Sequence, residues 1–247
     1  MWKIAGIVGV IGVSALIITL RLKEDMKPQD IIARAIKVHG GAENLEKLKA
    51  SVVKTKGQYY GFGEPFNYNS EISLELPDRT RTDAESKLGN FLQVINGEKG
   101  WVKLGDMTHE CSKEECNEMR EQMNAVRIAH LTILTGDDYK LASLPEETID
   151  EQTAIGVRVQ HKGYRDVNLF FDKEKGLLLK MQTRLKDPQH NGEEVTAETL
   201  YEYYKEVDGV MVAHKFTLMY DGKPHNEGEV AEVTFADKLD DIVFEKP

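Results

Sequence analysis

Apolar positions recur with two different periods along this chain, and the change of period divides it. Ile4 to Leu20 has no period: it is an unbroken run of apolar and small residues, with Ser14 and Thr19 the only hydroxyl side chains. Ile31, Ile32, Ala35, Ile36 and Val38 then follow helical spacing, with Pro28 suited to the first turn and Gly40-Gly41 ending the helix. A second short helix is predicted from Ala42 to Lys49, with Leu45 and Leu48 on one face. From Ser51 the period becomes two. Val53, Thr55, Gly57 and Tyr59 alternate with Lys54, Lys56 and Gln58. Strand patterns continue over residues 66–76, 79–85, 91–95 and 101–104, and Asn96-Gly97-Glu98-Lys99-Gly100 reads as a longer hairpin loop.

After Asp106 the alternation stops. A helix is predicted from about Asn117 to Leu134, where Met119, Met123, Val126, His130 and Ile133 lie near one face and Gly136-Asp137-Asp138 follows. Alternation then resumes over residues 154–161, 165–172, 177–185, 195–207, 211–220 and 229–236, punctuated by Asp208-Gly209 and Asp221-Gly222. Val167, Leu169 and Phe171 share a face, as do Leu177, Leu179 and Met181. The expectation is a mainly β (α+β) fold. A strongly curved antiparallel half-barrel of roughly ten strands is covered by helices, with an N-terminal hydrophobic helix ahead of it. No Pro- or Ser-rich linker splits the body, so residues 1–23 form a leader and 24–247 one domain.

The leader reaches roughly 25 Å at about 1.5 Å per residue, the short end of a membrane span. Lys3 gives it a basic start, while Leu20-Arg21-Leu22-Lys23 offers no small-x-small cleavage site. An uncleaved signal-anchor through residues 4–20 is the preferred reading. A cleaved signal peptide and a buried helix are the alternatives. Either export reading places the body in the periplasm or cell envelope, the first tethered to the inner membrane.

Charge sharpens the division. The chain has 247 residues and a formal net charge of −10. Residues 1–23 hold three basic residues and no acidic one, which leaves a body of 29 basic and 42 acidic residues. Such a body is poorly suited to nucleic acid, which needs a basic surface. Cys111 and Cys116 stand in a polar stretch, Cys-Ser-Lys-Glu-Glu-Cys, able to close a small disulfide that suits an oxidising compartment. Two reduced thiols, or a metal site with His109, are the other readings. The seven histidines include no pair at i, i+3 or i+4, and Gly-x-Ser-x-Gly, His-Glu-x-x-His and phosphate-loop patterns are missing. No nucleophile, base and orienting group can be named together, so the expectation is a non-catalytic protein without a cofactor or metal.

The order of elements, together with Asn-Gly-Glu-Lys-Gly-Trp, Phe-Phe-Asp-Lys-Glu-Lys-Gly-Leu-Leu-Leu-Lys and Tyr-Tyr-Lys-Glu-Val-Asp-Gly-Val-Met-Val-Ala-His-Lys-Phe, resembles the bacterial outer-membrane lipoprotein carrier superfamily over about residues 28–247. The resemblance implies a helix-lidded half-barrel with an apolar cavity for the acyl chain of a lipid or lipoprotein. Met119, Met123, Val126 and His130 are the lid candidates, and Leu169, Phe171, Leu179 and Met181 the cavity candidates. Methionine adapts to variable apolar partners. His130 reads first as a hydrogen-bonded packing residue, ahead of a ligand or acid-base group. A membrane-anchored sensor or scaffold that binds an envelope protein is the second reading, since a tethered protein cannot shuttle cargo as a soluble carrier does.

Overall fold

The structure, a computed structural model, describes residues 26–61, 63–187 and 192–247. The apolar run at 4–20, expected as a helix, lies outside the described residues. Among the described residues no helix is long and apolar enough to cross a membrane.

The chain enters through α1 (Pro28–Val38), α2 (Ala42–Leu45) and a 3-10 turn, Glu46–Lys49. Pro28 stands in the first turn of α1, where its missing N–H costs nothing. Gly41, at φ 83°, is the N-cap of α2. A first antiparallel meander follows: β1 (Ala50–Tyr59), β2 (Phe66–Glu75), β3 (Arg79–Ser86), β4 (Gly89–Asn96), β5 (Lys99–Leu104) and β6 (Met107–Glu110). α3 (Lys113–Ala129) and a 3-10 turn, Thr132–Thr135, leave that edge. A second meander begins at the far edge with β7 (Tyr139–Ile149), then β8 (Gln152–His161), β9 (Val167–Asp172) and β10 (Leu178–Asp187). It finishes with β11 (Glu193–Val207), β12 (Val210–Tyr220) and β13 (Lys223–Phe235). β13 pairs antiparallel with β1 and joins the two meanders into one open, thirteen-stranded sheet, with β6 and β7 as its edges.

Thirteen strands replace the roughly ten expected. β6 is only four residues, Met-Thr-His-Glu, all exposed, so it carries no alternation to read. β7 contains Pro145, which an edge strand tolerates because one of its sides has no ladder to donate to. The β7–β8 turn is Asp150-Glu151, both at positive φ (44° and 66°) without a glycine, so the usual hairpin signal is missing there. Asp208-Gly209 and Asp221-Gly222 adopt the same positive-φ pair where it was expected. The loop between β4 and β5 is shorter than predicted, since Asn96 already pairs with Lys99.

The sheet must curl, and α3 demonstrates why. A 17-residue helix is about 25 Å long. β5 and β9 are nine strand positions apart, roughly 43 Å in a flat sheet. α3 touches both. The helices lie on this inner face. There Ile31, Ile32, Ala35 and Ile36 of α1 and Ala125 and Ile128 of α3 pack on Val157, Val159, Val167, Leu169 and Phe171. Behind the first meander, on the outer face, the C-terminal 3-10 turn Asp241–Phe244 buries Phe244 against Val94 and Trp101. Arg79 holds that turn, with its guanidinium 4.8 Å from the Phe244 ring centre and 2.7 Å from Asp241.

Candidate ligand-binding face

The inner face has two unlike halves. Under α1, the side chains of β8, β9 and β10 are sealed: Val157, Val159, Leu169 and Phe171 are fully buried. Toward the middle of the sheet the inward row is only half-buried. Val53 pairs with Ile72, and Ile72 alternates with Leu74, which packs under α3. Val212 packs on the same inner core, so Phe216 and Leu218, two and three strand repeats further along β12, face inward too. Val53, Tyr68, Ile72, Phe216, Leu218 and Val230 thus form a half-exposed apolar and aromatic floor.

A glycine pair shapes this floor. Gly57 of β1 lies opposite Gly228 of β13. A Cβ on Gly228 would sit 2.4 Å from Phe216 Cζ, and one on Gly57 would sit 2.8 Å from the Tyr68 hydroxyl. The bare backbone therefore lets the Phe216 ring and the Tyr68 phenol lie down on the sheet. A few hydroxyls punctuate the floor: Thr55 Oγ1 and Ser70 Oγ are 2.7 Å apart, and burial raises the Tyr68 pKa although Asn226 and Thr55 hydrogen-bond to it. Tyr201, opposite Phe216, is pushed up to about 12 by burial. Nothing in the local sequence marks this floor except the alternation Val212, His214, Phe216, Leu218, Tyr220.

α3 spans the inner face as a brace. One side of it is apolar: Cys116, Met119, Met123 and Val126 pack with Leu74, Leu76 and Ile95. The other side is a polar clasp to the second meander. Arg165 reaches Glu118 with both terminal nitrogens, at 2.6 and 3.0 Å, and its backbone N–H donates to Glu121 at 3.0 Å. Lys186 donates to Glu114 at 2.7 Å, which holds that carboxyl below its ordinary pKa.

The helix starts at Lys113 rather than near Asn117. Ser112 and Glu115 form a capping box, with Ser112 accepting from the Glu115 N–H and Glu115 accepting from the Ser112 N–H. Cys111 and Cys116 take the flanking N′ and N4 positions of a hydrophobic staple. Both are free thiols in this structure, which does not show the expected disulfide, and both sulfurs lean on Gly100. Burial pushes the Cys111 thiol up to about 11. His109 Nε2 meets Glu115 at 3.2 Å.

The structure sorts the eight candidate residues into four places. Met119, Met123 and Val126 come together on α3. Leu169, Phe171 and Met181 belong to the sealed inner half. Leu179 lies on the outer face with Phe170, Ile149 and Ala154, because a bulge between Leu178 and Lys180 breaks the alternation that would align it with Met181. His130 caps the end of α3, and burial lowers its pKa to about 4.

Two grooves of about 820 and 780 Å³ lie on the outer face instead. They share Lys56, Asn69 and Glu85 and carry ion pairs such as Lys54–Glu232 at 2.8 Å and Lys56–Glu229 at 3.1 Å. Paired, solvated charges of this kind are ordinary surface.

One curved antiparallel sheet, open at both edges and braced by helices on one face, defines the structural class. Within it the chain has a LolA-like fold. It superposes on a LolA superfamily protein from Nitrosomonas europaea with a TM-score of 0.57 and 12% identity, covering 90% of this chain and 99% of that one. For a putative outer membrane lipoprotein-sorting protein domain from Vibrio parahaemolyticus the values are 0.53, 13%, 88% and 95%. For a DUF1329 family protein from Desulfovibrio piger they are 0.53, 11%, 89% and 98%. No family model and no curated protein matches the chain.

Proposed function

We propose that this is a non-catalytic envelope protein that receives the acyl chain of a lipid or lipoprotein on the half-open floor beneath α3. The observation that carries this reading is the contrast within one face. The β8–β10 half is filled by the protein's own side chains, whereas Val53, Ile72, Phe216 and Leu218 keep part of their apolar surface accessible. Covering each CH2 of a chain there contributes about 0.8 kcal/mol. Met119 and Met123 supply the adaptable side of α3. The clasp of Arg165 and Lys186 on Glu114 and Glu118 is the side that can part without exposing apolar surface. The fold shared with a lipoprotein-sorting domain supports the ligand class. The body sits in the periplasm, with residues 4–20 as its tether to the inner membrane.

Mass spectrometry of lipid carried by the purified full chain, with displacement of a fluorescent fatty acid, tests the floor. Ile72→Trp and Leu218→Trp are expected to weaken fatty-acid binding about tenfold or more while leaving the folded signal intact. Unchanged affinity in both variants, or no binding by the parent protein, overturns the proposal. Protease protection of the body in spheroplasts, with mass measurement of the mature N-terminus, tests the tether.

A further inference from the structure

Eight arginines lie among the described residues, and six of them face a carboxylate. Arg34 donates to two backbone carbonyls instead. Arg127 has neither. Its Nη2 donates to the Tyr139 hydroxyl at 2.7 Å, and its buried Nε has no acceptor.

The surroundings are built rather than accidental. Tyr139 and His161 are a cross-strand pair of β7 and β8, with ring centres 4.7 Å apart. Asn124, one turn before Arg127 on α3, meets His161 Nδ1 with its Oδ1 at 3.2 Å. Two residues a turn apart on the helix thus grip one cross-strand pair. Tyr164 stacks on the far side of His161 at 4.8 Å.

Arg127 Nε and Asn124 Nδ2, the buried side-chain atoms of this cluster without a partner, are both donors. Asn124, only 4% exposed, keeps its Nδ2 buried and without an acceptor. Tyr139 accepts from Arg127, which leaves its own hydroxyl hydrogen free to donate. With Arg127 Nε–H that makes three donors around one cation. The carbonyls at the end of α3 offset part of the Arg127 charge, yet they give Nε–H no partner. Asp138 is exposed and acts on His161, without an ion pair to Arg127. Buried donors without acceptors are costly, and a charged acceptor matched to several of them makes short, strong hydrogen bonds.

We propose that Asn124, Arg127 and Tyr139 form a binding site for a single carboxylate, with one oxygen on Arg127 Nε–H and Tyr139 O–H and the other on Asn124 Nδ2–H. The site stands apart from the half-open floor and does not depend on the reading of that floor. Its carboxylate can belong to a small free acid or to the end of a fatty acyl chain.

The test is NMR on the isotope-labelled full chain, following the Arg127 Nε–Hε and Asn124 Nδ2–H resonances, the one that remains serving as the readout in each variant. Sodium acetate is titrated against sodium chloride at equal ionic strength, and octanoate and octanol are run in parallel. Acetate is expected to move these resonances saturably where chloride does not. Arg127→Lys keeps the charge without Nε and is expected to weaken acetate binding at least about tenfold, as is Asn124→Ala. Octanoate saturating well below acetate, with octanol silent, assigns the carboxylate to an acyl chain. Equal affinities assign it to a small acid. Binding of acetate unchanged in both variants, or no saturable shift with acetate or octanoate in the parent protein, overturns the site.

Discussion

At the scale of single residues, the floor rests on two glycines whose partnership is long-range. Gly57 sits in a slot of β1 that its neighbours fill with Thr55 and Tyr59, so the sequence reads it as one more inward position. Only the register with Gly228, far along the chain, explains why no side chain fits. The two positions differ in what they would strike. A Cβ on Gly57 meets the backbone carbonyl of Glu227 at 2.0 Å, which cannot yield without disturbing the ladder. At Gly228 the first obstacle is the far end of the Phe216 ring, which can swing. Gly57→Ala is therefore expected to destabilise by about 1–3 kcal/mol and Gly228→Ala by less, read from urea midpoints. His130 gives a pH effect of definite sign. Its folded pKa, near 4, lies below the ordinary value of 6.5, so the unfolded chain binds the extra proton first. The neutral ring contributes fully above pH 6.5, and that contribution falls as pH drops toward 4, by roughly 3 kcal/mol in all, of which about 2 is lost between pH 7 and pH 4.5. Unfolding free energies measured at pH 7 and pH 4.5 should converge in His130→Gln by about that amount. An equal pH dependence in the variant would remove His130 as the source.

At the scale of elements, α1 was legible because every signal agreed: Pro28 at its start, an apolar stripe, and Gly40-Gly41 at its end. α3 was legible in existence and misplaced at its start. Ser112-Lys113-Glu114-Glu115 is a capping box in plain sight, yet the flanking cysteines draw attention to themselves as a redox pair. Their positions make them a staple whether or not they are oxidised, with Cys116 buried between Leu74 and Met123. The apolar stripe on α3 was also only half of the helix. A second stripe, with Ala125 and Ile128, packs on the other core, because a brace across a curled sheet has two faces to bury. The cap makes a measurable contribution. Ser112→Ala removes the acceptor for the Glu115 N–H and should lower stability by about 1 kcal/mol. Arg165→Ala removes both guanidinium bonds to Glu118, leaving its Oε1 only the Lys186 N–H at 2.7 Å, and hydrogen exchange at the start of α3 should then rise several-fold while amides in β9 are unchanged. Equal acceleration in both elements would mean that α3 opens only with the whole sheet.

At the scale of the whole molecule, the two meanders meet at a single strand pair, β1 with β13, and α3 is the second tie between them. They are not equally furnished. The second meander owns the larger core, where α1 and α3 seal Leu169 and Phe171, and its outer face carries a further cluster around Phe170. Lys180 closes that cluster, with its ammonium 4.6 Å from the Phe170 ring centre and paired with Glu147 and Glu198 at 2.5 and 3.1 Å. The first meander depends on smaller packings, Met123 under α3 on one side and Phe244 on the other, and its edge strand β6 is wholly exposed. Local stability follows buried apolar contact, so amide protection should be greatest in β8, β9 and β10, intermediate in β2 to β4, and least in β6. The half-open floor lies over the junction of the two meanders, where a bound acyl chain would touch both. Ligand binding should therefore raise protection most in β1, β2, β12 and β13 and leave β9 near its starting value. Hydrogen exchange followed by mass spectrometry, with and without decanoate, reads both orders at once. A gain confined to β9 and β10 would place the chain in the sealed half and refute the floor as its seat. A gain at the junction would also make the meanders open less often as separate bodies, since the ligand adds a further tie to those the protein itself supplies.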